Sequence, residues 1–274
     1  MRHFDTAPHY GLGLAESRLG AALRARPRDE YVISTKVGRL LVPTPERAHE
    51  MDAEEGFHVP AAYERRWDFS RDGILRSVEA SLERLGLDRV DILYLHDPDQ
   101  HWDAASTTGV DALIELRDQG VTRAIGAGMN QSAMLAEFVR RCDVDVMMLA
   151  GRYTLLDRSA LEDLLPIAEE RGVGVVAAGV YNSGLLARAE VPDDARYDYR
   201  DAPRDLVARA RQLAAVCERH GVTLPDAAVQ FPLRHPAVVS AVLGARDAAE
   251  AASGLERYAR PIPDQLWADL ESTG

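Results

Sequence analysis

The stretch DGILRSVEASLERLGLDRVDILYLH, Asp72 to His96, decides the fold. Ile74, Leu75, Val78, Leu82 and Leu85 recur at three- and four-residue intervals, so they share one face of a helix, and Gly86 supplies the left-handed stop. Val90 to Leu95 (VDILYL) follows as a short apolar run with the composition of a buried strand, and it ends at His96. A helix that feeds a buried strand is half of a βα repeat.

The same unit recurs on both sides. Upstream, a stub at Arg2 to Asp5 reads as a strand, Glu16 to Leu23 as a helix, and the β-branched run Tyr31 to Lys36 as the next strand. Downstream, helices are expected at Val110 to Gln119, from Ser132 as N-cap to Arg140, at Ser159 to Arg171 and at Arg204 to His220. The last of these has Leu206, Ala210, Leu213, Ala214 and Cys217 on one stripe. Strands are expected at Ala124 to Gly128, Val144 to Ala150, Gly174 to Ala178 and Val238 to Leu243. Helices at Ala248 to Tyr258 and Leu266 to Ser272 close the chain.

Two long excursions interrupt the alternation, Val37 to Ser70 and Arg188 to Pro203, and loops of such length are usually functional or disordered. No linker or composition break divides the chain, which predicts one domain over residues 1–274. Strict alternation requires parallel strands with helical crossovers, and at this length a (β/α) barrel of the TIM type is favoured over an open doubly wound sheet.

Composition narrows the function. With 274 residues, 46% hydrophobic and 28% charged, the chain can bury a substantial core. The 32 basic and 44 acidic residues give −12, and no dense Lys/Arg run exists, so neither nucleic acid nor an anionic membrane is an expected partner. Cys142 and Cys217 are far apart and lack ligand-like spacing, which suits reduced thiols in a cytoplasmic protein. No apolar run approaches the length of a membrane span, and the N-terminus has no signal-peptide core.

The chemistry gathers after the strands. Asp5 and Tyr10 follow the first, Lys36 ends the second and His96 ends the third, so a closed barrel brings all four to one rim. Lys36 is the only lysine in the chain. A phenol with pKa ~10 exchanges protons poorly at neutral pH, and a neighbouring ammonium is expected to lower it by ~1 to 3 units. Asp5 would keep Lys36 charged, His96 would orient a substrate oxygen, and Tyr10 would shuttle a proton between a carbonyl and its carbinol.

These residues resemble the aldo-keto reductase family, in DTAPHYG at Asp5 to Gly11, STK at Ser34 to Lys36 and VDILYLH ending at His96. The resemblance runs from Arg2 to about Pro263. It implies a barrel with an Asp5-Tyr10-Lys36-His96 tetrad and a nicotinamide cofactor, NAD or NADP, acting on a small sugar or aldehyde. GRYTLLD at Gly151 to Asp157, HDPD at His96 to Asp99 and VYNSGLL at Val180 to Leu186 are similar to the branch containing L-fucose, D-threo-aldose and pyridoxal dehydrogenases. It further implies that Asn130 binds the nicotinamide carboxamide and that Asn182, Ser183, Gly184 and Leu185 cover the pyrophosphate; Tyr181 is a candidate to stack on the nicotinamide ring or simply to pack at the strand end.

Gly244, Ala245, Arg246 and Glu250 would meet the adenosine end. Arg246 suits a 2′-phosphate, whereas Glu250 repels one and can accept a ribose hydroxyl, which favours NAD or dual use. Trp67, Trp102 and Tyr199 are candidates to stack on a sugar face, or simply to pin the long loops.

Rival readings are weaker. Gly11-Leu12-Gly13 is no dinucleotide fingerprint, because Glu16 stands where the third glycine belongs. A metal-dependent barrel hydrolase could use His3, Asp5, His9, His96 and His101, but no HxH pair appears and Lys36 and Tyr10 would have no role. A non-catalytic binding protein that keeps the tetrad by descent is the third possibility. The count of strands is seven against the family's eight, the first strand and helix being absent, which suggests a late start codon or a shortened chain.

Overall fold

The computed structural model describes residues 1–52, 57–198 and 200–273. Its strands His3–Asp5, Val32–Val37, Ile92–His96, Ala124–Met129, Val146–Ala150, Gly174–Ala178 and Val238–Val242 form one seven-stranded sheet in chain order. Pairing is parallel wherever register is defined: Asp5 lies opposite Ser34, Lys36 opposite Tyr94, and His96 opposite Gly128. Parallel neighbours require the intervening helices as crossovers, which is the alternation legible in the sequence.

The chain divides into two compact units, Met1–Met148 and Leu149–Gly274. In the first, Ile33, Leu93, Leu95, Ile125 and Met147 are fully buried, so the apolar strand runs form the core. The helix Arg71–Leu85 begins where Ser70 Oγ accepts from the Gly73 N–H and ends at Gly86 with φ 62°. Ile74, Val78 and Leu85 are buried on its inner face, while Leu75 and Leu82 are half-buried beside them. A Cβ at Gly20 would sit 2.0 Å from the Leu85 carbonyl oxygen, so glycine there lets the helix Leu14–Leu23 approach this one closely.

The buried Glu16 carboxylate joins the same helices, accepting from Thr35 Oγ1 at 2.7 Å and Arg84 Nε at 2.6 Å. This gives the residue that broke the glycine fingerprint a structural role.

Three expectations need correction. Val37 to Ser70 is not irregular throughout, because Arg39–Pro43 and Tyr63–Trp67 pair antiparallel, with Arg39 opposite Trp67 and Leu41 opposite Arg65. Ser132 is not an N-cap: the helix Ser132–Arg141 is preceded by an extended Gln131, and no side chain caps it. Ser159 to Arg171 divides into a 3-10 turn, Ser159–Leu161, and a helix, Leu164–Arg171, whose first N–H is taken by Asp163. Pro166 then falls in the first turn, where a missing N–H does no harm.

In the second unit Gly174–Ala178 pairs with Val238–Val242, and helices Arg204–Arg219, Leu224–Gln230, Ala248–Ala259 and Asp264–Ser272 follow the strands. Ala210, Leu213 and Cys217 are buried, and Leu206 and Ala214 are half-buried. The short helix Leu224–Gln230 starts with a reciprocal cap between Thr223 and Asp226. Both cysteines are free, and no helix among the described residues is long and apolar enough to cross a membrane.

Candidate active site

Parallel register brings the ends of the first three strands together, and the tetrad forms there within the first unit. Lys36 Nζ, on a side chain only 2% exposed, donates to Asp5 Oδ2 at 2.5 Å and to the Thr6 carbonyl at 3.0 Å. Asp5 Oδ1 accepts from Ser34 Oγ at 2.6 Å, and His3 Nε2 lies 3.0 Å from the same hydroxyl. Every oxygen of the buried carboxylate therefore has a donor, as a desolvated charge requires.

Tyr10 arrives on a tight turn. Its N–H donates to the Ala7 carbonyl at 3.1 Å and the Gly13 N–H closes on Pro8 at 2.8 Å. Gly11 and Leu12 adopt positive φ, 61° and 51°, and only the glycine does so without steric cost. Lys36 Nζ lies 4.8 Å from the centre of the Tyr10 ring, close enough for the ammonium to act on the phenol. The His96 ring packs edge-on against Tyr10 at 5.7 Å.

The charge states follow from burial and neighbours. Burial alone would drag the Lys36 pKa down, but Asp5 and Tyr10 outweigh it and hold the group above its ordinary value, fully charged near neutrality. The expected lowering of Tyr10 is corrected. Burial pushes the phenol above 10 more strongly than Lys36 pulls it down, because Asp5 offsets much of that ammonium's field. The resting phenol is protonated.

Burial, with help from Lys36, Arg39 and His9, holds His96 well below 6.5, so its imidazole is neutral at pH 7. His96 Nδ1 is buried with no hydrogen-bond partner among the described residues. Such an atom beside a phenol fits a site that receives a ligand oxygen.

Around this centre stand two arginines, Arg39 and Arg65, that the sequence did not single out. Arg65 Nε donates to His9 Nδ1 at 2.7 Å, and Arg65 also grips Asp52 through both carboxylate oxygens, at 3.0 and 2.6 Å. Arg39 lies over the Trp67 ring at 4.3 Å, approaches His9 at 3.3 Å and donates to Asp97 Oδ2 at 2.7 Å. Burial and the two guanidinium groups push His9 down to about 3. Arg39 and Arg65 come from the two strands of the missed hairpin. The pairing of Arg39 with Trp67 and of Leu41 with Arg65 puts both arginines on one face of the hairpin.

Of the aromatic candidates, Trp67 is 40% exposed, stacked on Phe69 at 5.8 Å and joined to the site through Arg39. The Trp102 ring instead contacts Phe138 at 4.8 Å and Arg141 at 5.7 Å, which suits a packing role. Tyr199 lies outside the described residues. Asn130 is half-buried directly after the strand Ala124–Met129.

The second unit holds a cavity of about 950 Å³ lined by Tyr181, Asn182, Ser183, Gly184, Gly244, Arg246 and Glu250 among others. Asn182 and Ser183 are non-glycine residues at positive φ, 45° and 56°, a strained pair of the kind found in ligand loops. Asn182 Oδ1 is buried without a partner among the described residues, while its Nδ2 donates to the Gly151 carbonyl at 3.1 Å. Leu185 is fully buried and Ala245 exposed, and neither lines the cavity.

Arg257, also unforeseen, donates to the Tyr181 hydroxyl at 2.9 Å and covers one face of its ring at 5.6 Å. Arg246 is bound to Glu250 through its backbone N–H and through Nε, both at 2.8 Å. The cavity size and the orphaned amide oxygen fit a dinucleotide. Among the described residues no cluster of His, Cys, Asp and Glu side chains is arranged to hold a metal ion.

A buried ammonium fixed by a carboxylate, a phenol within that ammonium's field and a neutral imidazole beside both are groups suited to proton transfer at a carbonyl or carbinol oxygen. The chain belongs to the aldo/keto reductase family, whose model matches residues 1–274, and as such it is an NAD(P)-dependent oxidoreductase. It is 50% identical over 272 residues to a D-threo-aldose 1-dehydrogenase from Pseudomonas sp, covering 98% of this chain and 83% of that one. It is 39% identical over 292 residues to a pyridoxal 4-dehydrogenase from Microbacterium luteolum, covering 100% of this chain and 84% of the relative. An aldo-keto reductase from Bacillus halodurans in its holo form superposes with TM-score 0.77 at 26% identity, over 100% of this chain and 83% of the other. The seven-stranded parallel sheet with its helices thus matches (β/α)8 barrel relatives.

Proposed function

We propose that the protein transfers hydride between the anomeric carbon of a free aldose, of the L-fucose or D-threo type, and a nicotinamide cofactor. The observation that carries this reading is the Asp5–Lys36–Tyr10 chain beside a neutral His96. When bound, the nicotinamide supplies the hydride acceptor or donor at its C4. The cavity residues Tyr181, Asn182, Ser183, Gly184, Gly244 and Glu250 would hold the dinucleotide.

In reduction, Tyr10 donates its proton to the carbonyl oxygen as hydride reaches the carbon, and Lys36 stabilises the phenolate left behind. His96 donates a hydrogen bond to the same oxygen and fixes its lone pairs toward Tyr10. In oxidation, Tyr10 removes the proton of the anomeric hydroxyl and the product is the lactone. Because burial raises the Tyr10 pKa, oxidation should accelerate toward alkaline pH, while reduction proceeds from the protonated resting phenol.

Glu250 supports NAD, or use of both cofactors, since a 2′-phosphate would compete with it for Arg246. The relationship to a pyridoxal dehydrogenase supports an aromatic aldehyde or its hemiacetal as the second substrate class.

The test is turnover of L-fucose, D-arabinose and pyridoxal with NAD and NADP, together with cofactor binding by fluorescence. Aldose oxidation that Tyr10→Phe abolishes while cofactor still binds is the expected result. Cofactor binding without turnover of any of these substrates would favour the non-catalytic reading.

A further inference from the structure

Asp97 directly follows His96 and takes a left-handed backbone, φ 39°, with its N–H donated to the Gly128 carbonyl at 3.0 Å. Aspartate tolerates that conformation better than most residues, yet it still carries strain, which tends to persist where a side chain must be aimed. The aim is specific. Asp97 Oδ2 lies 3.6 Å from His96 Nε2, too far for a hydrogen bond but within ion-pair distance. The same oxygen accepts from Arg39 Nη2 at 2.7 Å. Arg39 is itself braced, with a side chain only 15% exposed, Trp67 under its guanidinium and His9 against its edge.

We propose that Arg39 is a positioning residue for His96: by clamping Asp97 it neutralises the carboxylate beside the imidazole and keeps that imidazole in the neutral form that donates to a substrate oxygen. The inference rests on the function proposed above and assigns one of its charge states to a residue outside the tetrad.

Among the described residues, the groups facing His96 come from the N-terminal turn, the strand Val32–Val37, the hairpin and the residue after His96 itself. The N-terminal turn contributes His9 at 5.5 Å and Tyr10 at 5.7 Å between ring centres. The strand Val32–Val37 contributes Lys36, the hairpin contributes Arg39, and the strand of His96 contributes Asp97. His9 is neutral, and Lys36 is matched by Asp5. Among the described residues, Asp97 is the carboxylate beside His96 that Arg39 binds. Without Arg39, the carboxylate would draw a proton onto His96 and pair with Nε2 as an imidazolium.

Removing the guanidinium should therefore raise the His96 pKa by about 1 to 3 units, the range for an opposite charge at this distance. In Arg39→Gln, the acid limb of the kcat/KM profile should move up by at least about one unit, with a tenfold or greater loss below it. Arg39→Lys should restore most of the profile, since it returns the charge. Arg39→Gln/Asp97→Asn should restore the pH dependence even without the clamp, because the carboxylate is gone.

The His96 ring signals in NMR, assigned with His96→Gln, give a second readout that needs no turnover. A His96 titration that rises in Arg39→Gln and returns in the double variant supports the inference, even if no substrate is found and the proposed function fails. A lower rate in Arg39→Gln with an unmoved His96 titration would overturn it and leave Arg39 as a brace for the hairpin. A shift that persists in the double variant would overturn it too. Should Arg39→Gln fail to fold, Asp97→Asn alone must leave His96 neutral to at least the wild-type pH, and Arg39→Lys must keep His96 low; the opposite result in either overturns the inference.

Discussion

Replacing Lys36 by methionine removes the ammonium and keeps most of the side-chain volume. Lys36 is 2% and Asp5 7% exposed, and their contact is 2.5 Å, so the substitution leaves a desolvated carboxylate without its counter-ion. Breaking one half of a buried pair costs about 3 to 5 kcal/mol. Ser34 Oγ still donates to Asp5 at 2.6 Å and recovers ~1 kcal/mol, while the Thr6 carbonyl loses its 3.0 Å donor and gives back a similar amount. The net expectation is a loss of about 3 to 5 kcal/mol.

Urea unfolding followed by far-UV circular dichroism measures it, and Lys36→Met should unfold at a markedly lower urea concentration than wild type. Adding Asp5→Asn removes the orphaned charge and should recover about half of the loss. The folded Lys36 pKa is raised above 10.5, so this contribution is fully present below 10.5 and fades only as pH rises through the folded value. The gap between wild type and variant should therefore be flat from pH 6 to 9 and shrink in alkali. A single variant within about 1 kcal/mol of wild type, or a double variant no better than the single, would refute the reasoning about the buried pair.

Other expectations follow from the same physics. Arg84→Met strands the fully buried Glu16 carboxylate and should lower stability by about 3 to 5 kcal/mol in the same unfolding assay. Gly20→Ala puts a methyl 2.0 Å from a backbone oxygen, so it should force two helices apart and cost several kcal/mol, on the order of an overpacked core. His9 is held down to about 3 against 6.5 in the unfolded chain, so the unfolded state takes up its proton first and stability falls as pH drops from 6.5 toward 3. His9→Gln should flatten that acid-side slope by one proton, ~1.4 kcal/mol per pH unit, in unfolding curves taken between pH 6 and 4. Glu250→Ala releases Arg246 and should raise the ratio of NADP to NAD efficiency in steady-state kinetics.

The strands were legible because each is a compact apolar or β-branched run bounded by turn residues, and their parallel pairing follows from the helices between them. The tetrad was legible because parallel register makes "just after a strand" a spatial statement: Asp5, Lys36 and His96 meet for that reason alone. The hairpin Arg39–Pro43 with Tyr63–Trp67 was hidden, since its partners are short, far apart in sequence and flanked by prolines. Arg39 and Arg65 were hidden with it, and His9 was read only as a candidate metal ligand, because their importance lies in whom they touch. The helix Leu224–Gln230 had a readable Thr223-Asp226 cap but too few residues for a periodic stripe. The sign of the Tyr10 shift was misjudged for a related reason, as sequence suggests that Lys36 is near and says little about how thoroughly the phenol is buried or how fully Asp5 cancels that charge.

The claim beneath all of this is that Tyr10, held on Lys36, carries the proton. Single-turnover hydride transfer in Tyr10→Phe, followed by nicotinamide absorbance, tests it most directly. The account predicts a loss of about 10²-fold or more with cofactor affinity unchanged. A hydride-transfer rate within about twofold of wild type, far from the effect of removing an acid–base group, would contradict it.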